Sequence, residues 1–433
     1  MLVRAADMDG DGILDLVTAT DVHRGRGDGT FEAPRPYRSG TACGLAVGDL
    51  DEDGRLDIAV VDCTVGDLWI YARRDTGYVQ ELLRSKVPHP TQLIVTDLNG
   101  DTIADLAVIG SDSDSALIAV RSGLGSGEFA EPVTRAFAPT NPGVAVGDLD
   151  SDGFPDLAIS RWSDWVMIAW NDGHGRFIDT TTLSMRDDEY EYLSAAPALA
   201  DIDGDGRLDI ASAVNVRQAN RVQLFLNLGD RRFDASLAYY IGSLKDVGYL
   251  ERVAMVDVDG NDGPEIFALS NHHPGTTSEM RIIHHLRGRA FAGVEDYAVG
   301  NEWLRLEAVD QGTGRQDLVV HGTAHSWRMR SRPDGTFDAP IEVAAVASAP
   351  ERFDPVPWPP VLYEPLTVIA DFDRDGLDDR AVVQRVDTEL GAEDSLTIFH
   401  ANPDGSMTVV GGQGFHRHSR AARSIQASSG PRN

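Results

Sequence analysis

The chain of 433 residues is strongly acidic, with 69 Asp and Glu residues against 38 Lys and Arg and a formal net charge of −31. Such a charge argues against nucleic-acid binding, which requires a basic surface, and no apolar run reaches the ~18 residues of a membrane-spanning helix. Hydrophobic residues make up 42% of the sequence, which is enough for a sizeable core. Length alone predicts two or three domains, but internal repeats can build one large domain instead.

An acidic signature recurs along the chain in the pattern Asp-x-Asp-x-Asp-Gly-x-x-Asp or a near variant. The first copy runs from Asp7 to Asp15. Further copies begin at Asp49, Asp97, Asp148, Asp201, Asp257 and Asp371. A degenerate copy begins at Asp310, is one residue short and lacks the middle carboxylates. We expect that copy to hold no ion.

The spacing of these carboxylates is typical of a calcium loop. Side chains at positions 1, 3 and 5 of a tight loop can converge on one point, position 7 offers its carbonyl, and position 9 completes the shell. Glycine permits the sharp turn at position 6, although Thr102 and Asp262 replace it in two copies. The sequence predicts about seven Ca²⁺ sites. Their ligands are Asp7, Asp9, Asp11 and Asp15; Asp49, Asp51, Asp53 and Asp57; Asp97, Asn99, Asp101 and Asp105; Asp148, Asp150, Asp152 and Asp156; Asp201, Asp203, Asp205 and Asp209; Asp257, Asp259, Asn261 and Glu265; and Asp371, Asp373, Asp375 and Asp379.

Two other interpretations of the signature are weaker. An EF-hand requires a bidentate Glu at position 12 and a helix on each side. No copy is acidic at position 12, and the flanks are short apolar runs such as 45–47 and 57–61 that are typical of strands. A single copy could be a solvated Asx-turn, but seven near-intact copies between strands argue against that. Each loop is therefore predicted to join two strands.

A glycine-rich turn that ends in an aromatic residue follows the acidic loops. The aromatic residues are Phe31, Phe129, Phe177, Phe233, Phe291 and Phe337, with Tyr78 and Met407 in the equivalent place of two units. Such turns between apolar runs mark tight hairpins. Each unit is thus predicted to contain strand A, the acidic loop, strand B, a variable turn, strand C, the glycine-rich turn and strand D. In the second unit these strands fall at 43–48, 57–62, 67–73 and 78–84, and the first unit must have short strands B and C.

Repeated four-stranded units favour a β-propeller. The Asp loops together with the Gly-x-Gly-x-Phe turns resemble the FG-GAP/VCBS repeat proteins, the class that includes the head of the integrin α-subunit. The resemblance covers residues 1–411 and implies an all-β propeller of four-stranded blades, with calcium at the loop positions given above. Asn99, Asn261 and Glu265 replace the family's Asp. Eight units predict eight blades, and seven blades plus a partial unit is the alternative.

Residues 412–433 are polar and basic and have no apolar periodicity, so we expect a disordered tail. Cys43 and Cys63 are equidistant from Asp53, and a hairpin would place them opposite each other. We expect a disulfide, with two free buried cysteines as the alternative, and hence an extracellular or cell-surface location. No signal peptide precedes the first strand, so we expect a missing upstream segment or a misplaced start.

Strand direction places the A–B loops and C–D turns on one face of the ring and the variable B–C turns on the other. Variable loops on a rigid scaffold usually carry function. Trp162, Trp165 and Trp327 fall in or near B–C turns. Exposed Trp suits sugar or protein recognition, so we expect a carbohydrate or protein ligand there. The alternative is that these aromatics pack between blades.

Catalytic motifs are not evident, since the sequence has no Gly-x-Ser-x-Gly elbow, His-Glu-x-x-His motif or phosphate-binding loop. An extracellular binding or adhesion module is therefore the favoured function. A calcium-stabilised enzyme similar to polysaccharide lyases, or a structural scaffold, is the alternative. The sequence does not predict the oligomeric state.

Overall fold

The computed structural model describes most of the chain up to residue 415. The described ranges are 2–38, 42–63, 66–74, 77–84, 87–111, 115–137, 143–160, 165–184, 191–193, 196–216, 220–235, 237–242, 249–258, 263–271, 279–287, 290–298, 305–310, 316–321, 325–332, 336–345, 367–375, 379–388, 391–401 and 407–415. Within these ranges, no helix is long and apolar enough to cross a bilayer.

The described strands form eight antiparallel sheets that follow one another along the chain. The first contains β1 Val3–Ala6, β2 Asp15–Thr18, β3 Asp21–His23 and β4 Arg35–Pro36. The second contains β5 Ala42–Gly48, β6 Asp57–Asp62, β7 Asp67–Arg74 and β8 Gly77–Arg84. The third contains β9 Pro90–Thr96, β10 Asp105–Ser111, β11 Ala116–Arg121 and β12 Val133–Phe137. The fourth contains β13 Val144–Gly147, β14 Asp156–Ser160, β15 Trp165–Trp170 and β16 Asp179–Ser184.

The fifth sheet has six strands, because its first and last strands are each interrupted. It contains β17 Glu191–Leu193, β18 Ala198–Ala200, β19 Asp209–Val216, β20 Asn220–Asn227, β21 Phe233–Asp234 and β22 Ala238–Gly242. The sixth contains β23 Tyr249–Val256, β24 Glu265–Asn271, β25 Glu279–Arg287 and β26 Ala290–Ala298. The seventh contains β27 Arg305–Asp310, β28 Gln316–His321, β29 His325–Met329 and β30 Ile341–Ala345. The eighth contains β31 Thr367–Ala370, β32 Asp379–Thr388, β33 Gly391–Ala401 and β34 Met407–Phe415.

Each predicted unit of the sequence corresponds to one sheet. In the second sheet the four strands lie within one residue of their predicted bounds. In the first sheet strands B and C are short, as expected, with four and three residues. The last strand, β34, runs to Phe415, so the final sheet extends past the predicted boundary at residue 411. The rest of the predicted tail lies outside the described residues.

The core lies between the sheets. The second strands are apolar and buried, as in β6 and β14, whereas fourth strands such as β12 and β16 are largely exposed. One cluster combines Leu98 and Ile109 of the third sheet with Leu157 and Phe177 of the fourth. Similar clusters join the other neighbours from the first sheet to the seventh.

The ring closes between the eighth sheet and the first. Leu396 and Phe372 of the eighth unit share a cluster with Leu16 and Phe31 of the first. The rings of Phe31 and Phe372 meet edge to face, with centroids 5.4 Å apart. Four-stranded sheets that pack side by side and close in this way form a β-propeller. Eight blades stays a prediction, because the described residues include no cluster between the seventh and eighth sheets.

The two sequence signatures meet at the blade interfaces. Position 2 of each of the seven near-intact acidic loops is a buried apolar residue. It packs in the cluster shared with the next blade, which includes that blade's turn aromatic. Thus Leu98 of the third loop and Phe177 of the fourth turn share one cluster, and Val258 and Phe337 share another. Each acidic loop is therefore part of the contact between two blades as well as a turn between two strands.

A disulfide joins Cys43 to Cys63, with Cα atoms 5.0 Å apart. The pairing is not the simple symmetric one that equal spacing about Asp53 implies. The register shifts by one residue between Ala42 and Gly44, so Cys43 lies in a bulge of β5. Cys63 follows the end of β6.

Candidate metal centres

The first five acidic loops share one backbone conformation. Position 6 adopts a left-handed conformation, with φ of 79° at Gly12 and 70° at Thr102, so the turn forms even where glycine is absent. Position 4 is also left-handed, including the non-glycine residues Glu52 and Ser151. Left-handed conformations are uncommon for residues with a side chain, so side-chain contacts within the loop must stabilise them.

The carboxylate at position 1 supplies those contacts. In the first loop Asp7 accepts hydrogen bonds from the backbone N–H groups of Gly10 at 2.7 Å and Gly12 at 2.8 Å. The N–H of position 6 donates to the position-1 carboxylate in the next four loops as well, at 2.8–3.0 Å. At position 5, Asp11 accepts from the N–H of Ile13 at 2.8 Å. These bonds fix where the carboxylates of positions 1 and 5 lie.

The carboxylate at position 9 is buried and holds the loop against strand C. Asp15 is 1% exposed. One of its oxygens accepts from Met8 N–H at 2.9 Å and the other from Gly25 N–H at 2.8 Å. The same pair of bonds recurs at Asp57, Asp105, Asp156 and Asp209. Since Met8 occupies position 2, this carboxylate also anchors the residue that packs between blades.

The carboxylate at position 3 of the first two loops pairs with an arginine through one of its two oxygens. The Oδ2 atom of Asp9 lies 2.8 Å from Arg24, and that of Asp51 lies 2.6 Å from Arg74. The Oδ1 atoms of both Asp9 and Asp51 are buried and have no hydrogen-bond partner among the described residues. Buried carboxylate oxygens without a partner are costly, and these two atoms have the chemistry to accept a cation.

Carboxylates of different loop positions converge in at least four of the loops. At each centre three carboxylates can offer one oxygen apiece, with all three oxygens within 4.8 Å of one another. The sets are Asp7, Asp9 and Asp15; Asp49, Asp51 and Asp53; Asp148, Asp150 and Asp156; and Asp201, Asp203 and Asp209. An all-oxygen set is the chemistry that Ca²⁺ prefers. The residues present therefore fit the ion that the sequence predicts.

Burial raises the pKa of the position-9 carboxyls. The pKa reaches about 6 for Asp15, Asp57 and Asp209 and about 7 for Asp156. The backbone N–H bonds lower these pKa values and the neighbouring loop carboxylates raise them, but burial is the largest cause. At Asp97, position 1 of the third loop, burial acts to raise the pKa, yet several backbone N–H groups hold that pKa below its ordinary value. A cation in the loops would favour the ionised form of all of these groups.

The sequence profile of the FG-GAP-like repeat matches residues 7–60, 97–159, 148–212 and 201–268, together more than half of the chain. The chain belongs to the FG-GAP-like repeat family. No curated protein sequence matches it.

Solved structures similar to this FG-GAP repeat chain include three from different organisms. A lectin from Agrocybe aegerita that recognises non-reducing terminal N-acetylglucosamine has 14% identity and a TM-score of 0.47 over 79% of this chain and 94% of its own. A protein from Lactobacillus plantarum has 12% identity and a TM-score of 0.46 over 85% and 94%. The WD40 domain of Toxoplasma gondii coronin has 13% identity and a TM-score of 0.46 over 94% and 88%. At these scores the likenesses carry no information about ligand or activity.

The remaining FG-GAP repeats depart from the first five. In the sixth, Glu265 is buried and accepts from Val258 N–H at 3.0 Å, while Asp259 and Asn261 lie outside the described residues. In the seventh repeat the buried Asp317 accepts from Arg328 Nε at 2.8 Å and from Ser331 N–H at 2.9 Å. A guanidinium thus contacts the last carboxylate of the loop predicted to hold no ion.

Three kinds of residue in these FG-GAP repeats escaped sequence reasoning. The first is the arginine that pairs with the position-3 carboxylate. An example is Arg231 of the fifth repeat, which lies 2.8 Å from Asp150 of the fourth. The second is Asn227, whose side chain donates to Leu149 O of the preceding repeat at 2.7 Å. The third is His400, which converges with Asp373 and Asp379 in the eighth repeat. The sequence signal for these blade contacts is the apolar residue at position 2, which lies between acidic residues.

Of the three tryptophans that are predicted to bind a ligand, the structure describes the side chain of Trp327 alone. Trp162 lies outside the described residues. Trp165 begins β15, but its side chain is not described. Trp327 lies in β29 and is partly buried against the cluster between the sixth and seventh sheets. For Trp327 the packing between blades is therefore observed, as the alternative interpretation anticipated.

Proposed function

We propose that this FG-GAP repeat propeller is an extracellular binding module whose acidic loops bind Ca²⁺ and whose opposite face binds a carbohydrate or protein ligand. The fold supports a binding module in general. The observation that supports calcium is the pair of buried, unpartnered Oδ1 atoms of Asp9 and Asp51, each in a set of converging carboxylates.

In the first five repeats, the proposed ligands at positions 1, 9 and 3 are held in place differently. Position 1, represented by Asp7, is oriented by N–H groups of its own loop. Position 9, represented by Asp15, is oriented by N–H groups of two elements and so fixes the loop to strand C. In the first two repeats, position 3 (Asp9 or Asp51) offers an oxygen that lacks a hydrogen-bond partner among the described residues. A bound calcium ion would supply the positive charge that balances these carboxylates.

The consequence for the protein is mechanical coupling between the loops and the ring. The loop residue Met8 packs in the cluster between the first and second blades, and its N–H is held by Asp15. Repulsion among metal-free carboxylates therefore acts directly on a blade interface. An ion that binds only the folded loop stabilises the ring by mass action. We expect dissociation constants on the order of 10⁻⁴ M, as in other extracellular modules.

The proposed ligand surface is the face that carries the B–C turns. The glycine-rich turns and acidic loops contact one another on the other face, as in the bond from Gly29 N–H to Phe372 O at 3.3 Å. That face is taken up by blade-to-blade contacts, which leaves the variable turns for recognition. The disulfide between Cys43 and Cys63 supports an oxidising, extracellular setting.

The two parts of the proposal require separate experiments. Isothermal titration calorimetry of chelator-stripped protein with Ca²⁺ tests the loops. Asp11→Ala, which removes one predicted ligand from an exposed loop, should reduce the number of bound ions by one. Calcium uptake that is unchanged in this variant would contradict the assignment of that loop.

A glycan array tests the ligand face, with calcium-loaded protein and a chelated control. We expect calcium-dependent hits that Trp165→Ala abolishes and that Trp327→Ala reduces only through stability. A blank array with folded, calcium-loaded protein would rule out the carbohydrate ligand and leave a protein partner. Cleavage of a bound glycan would overturn the non-catalytic assignment.

A further inference from the structure

The eighth repeat contains a cluster that differs in chemistry from the all-carboxylate centres. His400 lies near the end of β33, with its Nδ1 atom 3.3 Å from Asp373 Oδ2. Asp379, at position 9 of the loop, is fully buried and accepts from Phe372 N–H at 3.0 Å. His400, Asp373 and Asp379 can each offer one ligand atom, and these atoms lie within 4.8 Å of one another.

The imidazole of His400 is held in place by the first blade. Its side chain is 15% exposed. The Nε2 atom is buried and has no hydrogen-bond partner among the described residues. This edge of the ring lies against Gly29, where an added Cβ would come within 1.5 Å of Nε2. Because the backbone of the neighbouring turn blocks that side, the other edge of the imidazole faces the two carboxylates.

The first repeat shows what this position does when no nitrogen ligand is present. There Arg24 takes the equivalent place at the end of strand C and lies 2.8 Å from Asp9 Oδ2. A guanidinium has five donors and no lone pair to give a metal. A neutral imidazole has a lone pair and is a common ligand of Zn²⁺, Cu²⁺, Fe²⁺ and Ni²⁺. Where the first repeat has an arginine that only balances the charge of an aspartate, the eighth repeat has a histidine that can also bind a metal ion.

We propose that His400, Asp373 and Asp379 form a binding site for a first-row divalent transition ion, such as Zn²⁺, at the closure between the eighth and first blades. One nitrogen and two carboxylate oxygens are a donor set that Zn²⁺ accepts and that Ca²⁺, an ion of oxygen ligands, does not favour. The site reassigns one loop of the proposed calcium set, and it does not depend on calcium binding in the others. All three ligands lie in the eighth repeat, and the ion would fix the imidazole that packs against Gly29 of the first blade.

Zn²⁺ itself is the probe for this site. Chelator-stripped full-length protein is first brought to millimolar Ca²⁺, which saturates the carboxylate loops, and is then titrated with Zn²⁺ by calorimetry. We expect one Zn²⁺ per chain to remain bound under these conditions. A parallel titration with Co²⁺ should give visible absorption bands, which report nitrogen and oxygen coordination directly.

Variants of two histidines, His400 and His174, make the test specific. His400→Arg recreates the pair seen between Arg24 and Asp9, so it should fold, keep its response to Ca²⁺ and lose the Zn²⁺ ion and the Co²⁺ bands. His174→Gln, which removes an exposed imidazole from the fourth glycine-rich turn, should bind Zn²⁺ like the wild type. His400→Gln is the second variant if the arginine does not fold.

The results separate this proposal from the calcium proposal. Zn²⁺ binding that persists in the His400 variants, or that excess Ca²⁺ fully prevents, would overturn the site. Loss of calcium binding alone would contradict the proposed function and leave the Zn²⁺ result standing. A melting temperature that Zn²⁺ raises in the wild type and in His174→Gln, but in neither His400 variant, would support an ion that stabilises the closure between the eighth and first blades.

Discussion

The position-9 carboxylate gives the sharpest test of how the loops are built, because its role in holding the backbone does not require an ion. Asp15 is 1% exposed and accepts from two N–H groups, Met8 at 2.9 Å and Gly25 at 2.8 Å. In Asp15→Asn one amide oxygen can still accept from one of them. The amide NH₂ then faces the other N–H, and two buried donors lose their acceptor.

Each buried donor left without an acceptor costs about 1–3 kcal/mol, and removal of the buried charge offsets part of that cost, so we expect Asp15→Asn to lower the free energy of unfolding by about 1–3 kcal/mol. The measurement is urea unfolding in excess chelator at pH 8, above the pKa of about 6 for Asp15. Asp11→Asn is the matched control. Asp11 is exposed, and an asparagine there keeps the oxygen that accepts from Ile13 N–H.

We expect the control to stay within about 0.5 kcal/mol of the wild type in chelator, as exposed substitutions usually do. In calcium Asp15→Asn should lose the stabilisation that the first loop gains from its ion, whereas Asp11→Asn keeps a side-chain oxygen at position 5, as Asn261 does in the sixth loop, and should retain most of it. If Asp15→Asn matched the wild type in chelator, its carboxylate would serve only as a metal ligand, and the argument from the two backbone bonds would be refuted.

Three more predictions concern pH, the blade closure and the disulfide. The folded pKa values of about 6 to 7 at position 9 lie above the ordinary 3.8, so the stability that protonation gives the ion-free protein is present below pH 3.8 and is lost as pH rises through 6 to 7. The gain in melting temperature on adding Ca²⁺ should therefore be small at pH 5 and large at pH 8, and equal gains would contradict this. Gly29→Ala should lower the free energy of unfolding in urea by about 2–4 kcal/mol, because a left-handed backbone and the His400 ring both oppose a Cβ. Gly54 is also left-handed but has open space around it, so Gly54→Ala should cost only about 1 kcal/mol. Equal costs would contradict the close packing of the imidazole on Gly29. Replacing Cys43 and Cys63 with alanine should lower the free energy of unfolding by about 3 kcal/mol, the value for a cross-link across 20 residues; a loss below about 1 kcal/mol would contradict it.

The elements that sequence reasoning located well are those set by local chemistry. In the second unit, apolar alternation and turn residues placed all four strands within one residue of the observed bounds. The loop carboxylates were found in the same way, because each set is contiguous in sequence. The left-handed conformation at Glu52 was missed, since a glutamate carries no local signal for it.

The features that could not be predicted depend on which blades become neighbours. The contact of Arg231 with Asp150 spans 81 residues, and the imidazole of His400 packs on a turn at the other end of the chain. Neither pairing has a periodic signal, because it follows from closing the ring. The burial of Trp327 against a blade interface belongs to the same class, since a tryptophan near a turn can face either solvent or the next blade.

A crystal structure of the protein grown in millimolar CaCl₂ would test most directly the claim that the acidic loops bind calcium. We expect an ion in each of the first five loops, bound by the side-chain oxygens of positions 1, 3, 5 and 9, with the Oδ1 atoms of Asp9 and Asp51 among the ligands. Loops without an ion at that concentration, with Arg24 and Arg74 still the only cations beside those two carboxylates, would contradict it.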